Sequence, residues 1–335
     1  MKNNQPISLP QGVRDILPED ARRITFVESC IVPVFERQGF KRIITPILEY
    51  VDVLNLGLDQ TLGDRLLKFI DPFTGRVMAV RPDITPQIAR VVATRMMDSY
   101  LPLKLWYNEN VVCYTEPGKG RTMEVLQLGA EQFTERPSAS VDAEMIIMAI
   151  EALIALSLKD FKIDIGDVGF VRAALDRLAV DDKQKARIKD AIKIKDSSAL
   201  ETALKDGGSL VGKKEKDFLI TLTRLYGEDE VLISASEFAK TVSDESLLKV
   251  VENLKEVISM IEAKGYKSHI TIDLAEVRGF DYYTGMIFEG FGANLGRPLV
   301  SGGRYDTLLQ RYGQTLAATG FAFDMEGLVS ELGDD

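Results

Sequence analysis

Two long strand-like runs, LKLWYNENVVCYTE and EVLQLGAEQF, flank a turn containing Pro117, Gly118 and Gly120, and this pairing constrains the fold more than any other feature of the chain. Long runs joined by a tight turn lie antiparallel, since a parallel return needs a crossover of a dozen or more residues. The turn, within VVCYTEPGKGR, carries Lys119 and Arg121 and is the kind of place where a phosphate is gripped. Whether it still holds a nucleotide depends on the rest of the chain.

Other segments extend the same sheet. Apolar residues at Ile24, Val27, Ile31, Val34 and Phe35 make one helix face, closed by Gly39. KRIITPILEY reads as a strand broken by Pro46, which cannot donate to a ladder and so suits an edge or an interface. KFIDPFTGRVMAV reads as a hairpin, and Thr85 and Pro86 read as the N-cap and first residue of a helix. A buried helix near 140–158 and a strand, FKIDIGDVGF, follow. From about 171 to 267 the pattern is helical with mixed charge, most simply a solvated helical face. Strand signals return in SHITIDLAEVRGFDYYTGMIFEGF, RPLVSGGRYD and LAATGFAFD. Strand-helix-strand alternation is sparse, so an α+β fold on a mostly antiparallel sheet is expected: residues 1–170 and 268–335 form the core domain and 171–267 a helical insertion.

Composition removes several function classes. The formal charge of −10 opposes broad phosphate neutralisation, and with it non-specific binding of nucleic acid. Cys30 and Cys113 stand far apart and His269 is the single histidine, so neither a disulfide framework nor a metal site is indicated. MIIMAIEALIALSL is too short to cross a bilayer and no secretory signal opens the chain, so a cytoplasmic protein is expected. His269 has no nucleophile spaced near it, which favours a packed or solvent-edge role.

The candidate chemistry is concentrated in four stretches. In EVRGFDYYTG, Arg278 offers a fork for a carboxylate while Tyr282 and Tyr283 combine a ring with a polar tip, a set suited to a small zwitterion; an ion pair with two packed rings is the plain alternative. Strand alternation there sends Tyr283 and Asp281 to one face and Tyr282 to the other. In SGGRYD, Gly302 and Gly303 permit close approach and Tyr305 points inward. RPDITP adds Asp83 and Thr85 at a helix entrance. In QLGAE, even spacing puts Gln127, Gly129 and Glu131 on one strand face, with room above the glycine for a ligand.

These stretches, with GFKRIITPILE and TGFAFDMEGL, occur in the order found in class II histidyl-tRNA synthetases, and the chain resembles that family over nearly its whole length. The resemblance implies a class II synthetase-like antiparallel sheet flanked by helices, a dimer built around the Pro46 strand, and a histidine pocket. It assigns Asp83, Thr85 and Gln127 to the α-amino end of the ligand and Arg278 to its carboxylate. Glu131 and Tyr283 address the imidazole, with Tyr305 and Tyr282 lining the pocket. Asp83 replaces the usual glutamate and reaches less far.

The departures from the family decide the function expected. Cys113 stands where the second class II motif carries its α-phosphate arginine, and Gly327 where the third carries its adenine-stacking arginine. Loss of a single transition-state donor commonly lowers a rate about 100- to 1000-fold, so adenylation is not expected and no catalytic residue or cofactor is assigned. The sequence closes on MEGLVSELGDD, where the synthetases go on to an anticodon-reading domain, so tRNA is not expected as a partner. A histidine pocket without activation machinery is similar to the regulatory subunits of ATP phosphoribosyltransferase. That similarity implies a short-form catalytic subunit as partner and L-histidine as feedback effector. A degenerate synthetase or histidine-adenylating enzyme is the alternative, and a scaffold without ligand is a third.

Overall fold

The computed structural model describes residues 8–114, 122–206, 212–277, 279 and 282–333. Helix α1 (Pro18–Arg37) starts on Pro18, whose fixed φ suits a first turn, with Glu19 and Asp20 at the positive end of its dipole and Arg37 at the negative end. Val27, Ile31, Val34 and Phe35 form its buried stripe, and Gly39, at φ +84°, reverses the chain. Pro46 separates β1 (Lys41–Arg42) from β2 (Leu48–Tyr50), which join different sheets. Short helices α2 (Val51–Gly57) and α3 (Gln60–Gly63) lead to β3 (Lys68–Ile70) and β4 (Val77–Val80), which complete a three-stranded antiparallel sheet, β2-β4-β3.

Helix α4 (Thr85–Arg95) precedes the long hairpin of β5 (Leu103–Val112) and β6 (Glu124–Thr134). Residues 115–121, including Lys119 and Arg121, lie outside the described residues. Ser138 caps α5 (Ala139–Ala155), accepting from the Val141 amide. Strand β7 (Phe161–Asp167) feeds the helical stretch α6 (Val168–Asp176), α7 (Asp182–Lys193), α8 (Ser197–Asp206) and α9 (Lys213–Leu222). A two-residue strand, β8 (Tyr226–Gly227), interrupts it before α10 (Asp229–Thr241) and α11 (Glu245–Ala263). The chain closes with β9 (Ile270–Asp273), β10 (Met286–Gly292), β11 (Val300–Arg304), β12 (Ala317–Asp324) and α12 (Met325–Glu331).

Nine strands form the main sheet in the order β1-β5-β6-β12-β11-β10-β7-β9-β8, antiparallel apart from β1 with β5 and β7 with β9. The sheet is α+β as expected, with β1 at its edge. One face buries Leu128, Ala130, Phe321 and Phe323 against α1 and α5. Side chains such as Ile146, Ile150 and Leu153 have no exposed surface, and each fully buried chain of this size contributes about 1.5–3 kcal/mol. The same core continues through Phe170 and Val171 into Phe218, Leu247 and Val251 of the helical stretch. On the opposite face Leu105, Tyr107 and Phe133 pack with Ile84, Ile88 and Val92, so α4 covers only part of the sheet. The uncovered part is a trough. No helix among the described residues is long and apolar enough to cross a membrane.

Candidate functional site

The floor of the trough is set by register. Across three neighbouring strands Glu131 of β6 faces Gly320 of β12, and Gly320 faces Gly303 of β11, so two adjacent positions carry no side chain. A Cβ on Gly320 would lie 1.6 Å from Glu131 Oε2, and one on Gly303 would lie 2.9 Å from the Tyr283 ring. The Glu131 carboxyl and the Tyr283 ring therefore lean into the space that glycine vacates. Beside them opens a cavity of about 530 Å³ lined by Asp83, Thr85, Gln127, Tyr282, Tyr283 and Tyr305. Sequence reasoning named all six, and the fold brings them together from α4, β6, the 282–285 segment and the residue after β11. Arg278 and Asp281 lie outside the described residues.

Glu131 is the electrostatic centre. It is 1% exposed and accepts from Thr85 Oγ1 at 2.6 Å and from the Tyr305 hydroxyl. Among the described residues no ion pair reaches Glu131 or Asp83. Burial disfavours the charged form and raises the Glu131 pKa from 4.5 to about 8, outweighing the two hydroxyl donors. Burial likewise raises Asp83 above the usual carboxylate range, although its Oδ1 accepts from the Ile84 amide at 2.7 Å. The hydroxyl of Tyr282 and the Gln127 Oε1, both at the cavity, are buried with no hydrogen-bond partner. Such groups are costly to leave unpaired, and in a cavity they are groups waiting for a polar ligand.

Four local expectations are corrected. Thr85 is not the cap of α4: Ile84 occupies that position, Asp83 takes the first free amide, and the Thr85 hydroxyl goes instead to the buried carboxyl. Tyr282 closes a turn that starts at Gly279, the Tyr282 and Tyr283 amides both donating to Gly279 O at 2.8 Å, and residues 282–285 belong to no strand, β10 beginning at Met286. Alternation therefore does not separate the two tyrosines; their rings meet edge-on, centroids 5.1 Å apart, and both face the cavity. The room above Gly129 belongs to Tyr107, whose ring a Cβ would approach to 2.4 Å. Gly302 faces the core, against Phe321 and Phe288, and only Gly303 faces the trough.

A buried network fixes Tyr305. The Arg304 guanidinium pairs with Asp142 of α5 and donates to Ser138 O at 2.9 Å, while Thr319 Oγ1 donates to Asp142 at 3.0 Å. Next to it the Tyr305 amide donates to Ala318 O at 2.8 Å. Breaking a buried pair of this kind by removing one partner costs about 3–5 kcal/mol. His269 stacks on Phe161, centroids 4.4 Å apart, away from the site.

The far end of the cavity is different in kind. Cys113 and Asp324 line it together with Arg65 and Arg297, two cations that sequence reasoning passed over. Arg297 pairs with Asp324, and Asp324 also accepts from the Gly327 amide at 3.0 Å as the cap of α12. Only the fold brings Arg297 back against the strand end 27 residues later. Gly320 and Tyr107 were also missed; a glycine inside the strand-like TGFAFD was the available signal for the first. No group of three potential metal ligands occurs among the described residues.

Residues 12–328 match the family model described as histidyl-tRNA synthetase. The ATP phosphoribosyltransferase regulatory subunit of Geobacter metallireducens is 41% identical over 99% of this chain and 76% of its own length. That of Geobacter sulfurreducens is 43% identical over 97% of this chain and 73% of its own. A crystal structure described as an ATP phosphoribosyltransferase regulatory subunit/histidyl-tRNA synthetase from Bacillus halodurans superposes with a TM-score of 0.87 at 32% identity, covering 98% of this chain and 84% of that one. A histidyl-tRNA synthetase from a Nostoc species, 23% identical with a TM-score of 0.83 over 98% of this chain and 75% of that one, shares the fold.

Proposed function

We propose that this chain, which belongs to the ATP phosphoribosyltransferase regulatory subunit family, binds L-histidine in the trough beside Glu131 and does not activate it. It acts on a separate catalytic subunit of the short form, raising its activity and transmitting inhibition by histidine. One observation carries the reading: a buried carboxyl held, among the described residues, by neutral hydroxyls at one end of a cavity whose polyphosphate end has its Arg297 committed to Asp324. Imidazole is the ligand group that answers Glu131. As imidazolium it supplies the missing cation, and it also donates the hydrogen bond that an apolar ring lacks.

In this reading Tyr283 and Glu131 hold the imidazole, Asp83, Thr85 and Gln127 meet the α-amino end, Arg278 meets the carboxylate, and Tyr282 and Tyr305 wall the pocket. Thr85 has a further duty, since its hydroxyl keeps the Glu131 carboxyl oriented. Cys113, half-buried at the far end, leaves an activated phosphate without its fixed fork. Exposed Ile44, Ile47 and Leu48 around Pro46 support self-association through that segment. Inhibition requires that histidine bind two states of the complex unequally, because a ligand with equal affinity for both shifts nothing.

The test is reconstitution. Phosphoribosyl-ATP formation by the short-form catalytic subunit is measured alone, with this chain, and with this chain plus histidine. The expected result is a rise on adding the chain and a fall on adding histidine. Histidine-dependent exchange of pyrophosphate into ATP by this chain alone would overturn the reading in favour of an adenylating enzyme.

A further inference from the structure

The segment that presents the two pocket tyrosines belongs to no strand, and besides the packing of its rings it is held by hydrogen bonds to the residues around it, among them one from the Asp306 amide to Thr284 Oγ1 at 3.0 Å. Thr284 N donates to Arg304 O at 2.7 Å, which ties the segment to β11. Two further bonds run to α6. Val168 N donates to Gly285 O at 3.1 Å, and the Arg172 guanidinium donates from Nη2 to the Tyr283 carbonyl at 3.0 Å. The peptide that carries the Tyr283 ring is thus gripped by a cation from the first helix of the helical stretch.

Helix α6 is in turn bolted to the helices beyond it. Phe170 meets Phe218 of α9 edge-on at 5.6 Å, and Phe218 stacks on Phe238 of α10. Arg177, which ends α6, pairs at 3.0 Å with Asp244, the residue that caps α11. A shift of the Tyr283 peptide therefore has a rigid, packed route into the helical stretch, and motion of α6 has the same route back to the pocket.

We infer that Arg172 is a positioning residue through which ligand in the Tyr283 pocket and the helical stretch 168–263 are coupled. The inference rests on the histidine-binding reading and adds to it the part of the molecule that feels occupancy. Arg172 is not among the residues that line the cavity; through the Tyr283 carbonyl it sets where the Tyr283 ring stands. A charge-assisted bond to a carbonyl is directional, so moving its donor moves its acceptor. By reciprocity, whatever histidine does to α6, α6 does to histidine affinity.

The experiment uses the full chain, with L-histidine as probe, calorimetry for affinity and hydrogen exchange read by mass spectrometry. In the wild type, histidine is expected to slow exchange at 168–176 as well as along 124–134. In Arg172→Ala, affinity falls about fivefold or more, and at saturating histidine the protection of 168–176 disappears while that of 124–134 remains. The inference fails if that protection survives in the variant, if affinity is unchanged, or if wild-type protein binds histidine with no change at 168–176. If the variant does not fold, the wild-type exchange pattern decides alone. A wild type that shows neither binding heat nor protection anywhere removes the histidine reading itself, and the inference with it.

Discussion

The two ends of one cavity have opposite chemistry. At the deep end Glu131 is buried with no cation paired to it among the described residues, and the nearby Tyr282 hydroxyl and Gln127 Oε1 have no partner. At the outer end Arg297 already has its carboxylate in Asp324, and Cys113, just past the end of β5, lines the same cavity. Unsatisfied buried groups gain by binding, whereas a satisfied ion pair must first be broken before it can hold a phosphate. On the proposed function, this contrast is what lets a fold shared with histidyl-tRNA synthetases recognise an amino acid without activating it.

The comparison can be broken first at its deep end. Glu131→Gln removes the carboxyl that passes its proton to the imidazole and pairs with the resulting imidazolium, and histidine affinity is expected to fall about 10- to 100-fold, since hydrogen bonds to charged groups contribute about 1.5–3 kcal/mol. Titration calorimetry reads it; unchanged affinity would move the ligand elsewhere. Next in size is Gly320→Ala, which places a methyl against both Glu131 and Tyr305. Overpacking of this kind costs about 1–3 kcal/mol, measured as a lower urea midpoint with the slope unchanged.

A smaller effect follows from the raised carboxyl. Glu131 titrates near 4.5 when unfolded and at about 8 when folded, so the folded chain holds the extra proton between those values. The stability that Glu131 contributes is complete below pH 4.5 and declines as pH rises to about 8, by up to about 1.4 kcal/mol per pH unit. Asp167, raised by burial to about 7, acts with the same sign over a lower range. Asp83 and Asp142, also raised by burial, act with the same sign, so Glu131→Gln removes Glu131's share and makes the stability profile between pH 7 and 8 shallower. An equal slope in both proteins would mean that the carboxyl is ionised in the fold. The smallest effect is expected at the outer end. Cys113→Arg alone should yield no pyrophosphate exchange, because Gly327 still lacks its arginine and Arg297 remains paired; appreciable exchange would show the outer end to be one residue from function.

Much of the architecture was legible because period and punctuation carry it. The β5–β6 hairpin follows from two alternating runs about a turn, and the stripe of α1 from steps of three and four ending at Gly39. The even spacing of Gln127 and Glu131 placed them on the trough face without any structure. The tyrosine pair was misplaced because alternation was applied to a stretch that turns on Gly279, at φ +61°. Tyr107 was overlooked because LKLWYNEN looks like any strand, and nothing in it says that its ring will lie over Gly129 on the neighbouring strand.

The sequence by itself determined the class of fold and most of the residues around the pocket, since hydrophobic period and glycine placement are local properties. Tertiary structure alone decided what those residues do to one another. Glu131 lies against Gly320 and under Tyr305, Arg172 grips the Tyr283 carbonyl, and Arg297 is spent on Asp324. Each is a contact between distant parts of the chain, and burial, which sets both the carboxyl's proton and the value of an unpaired hydroxyl, exists only once those parts have met.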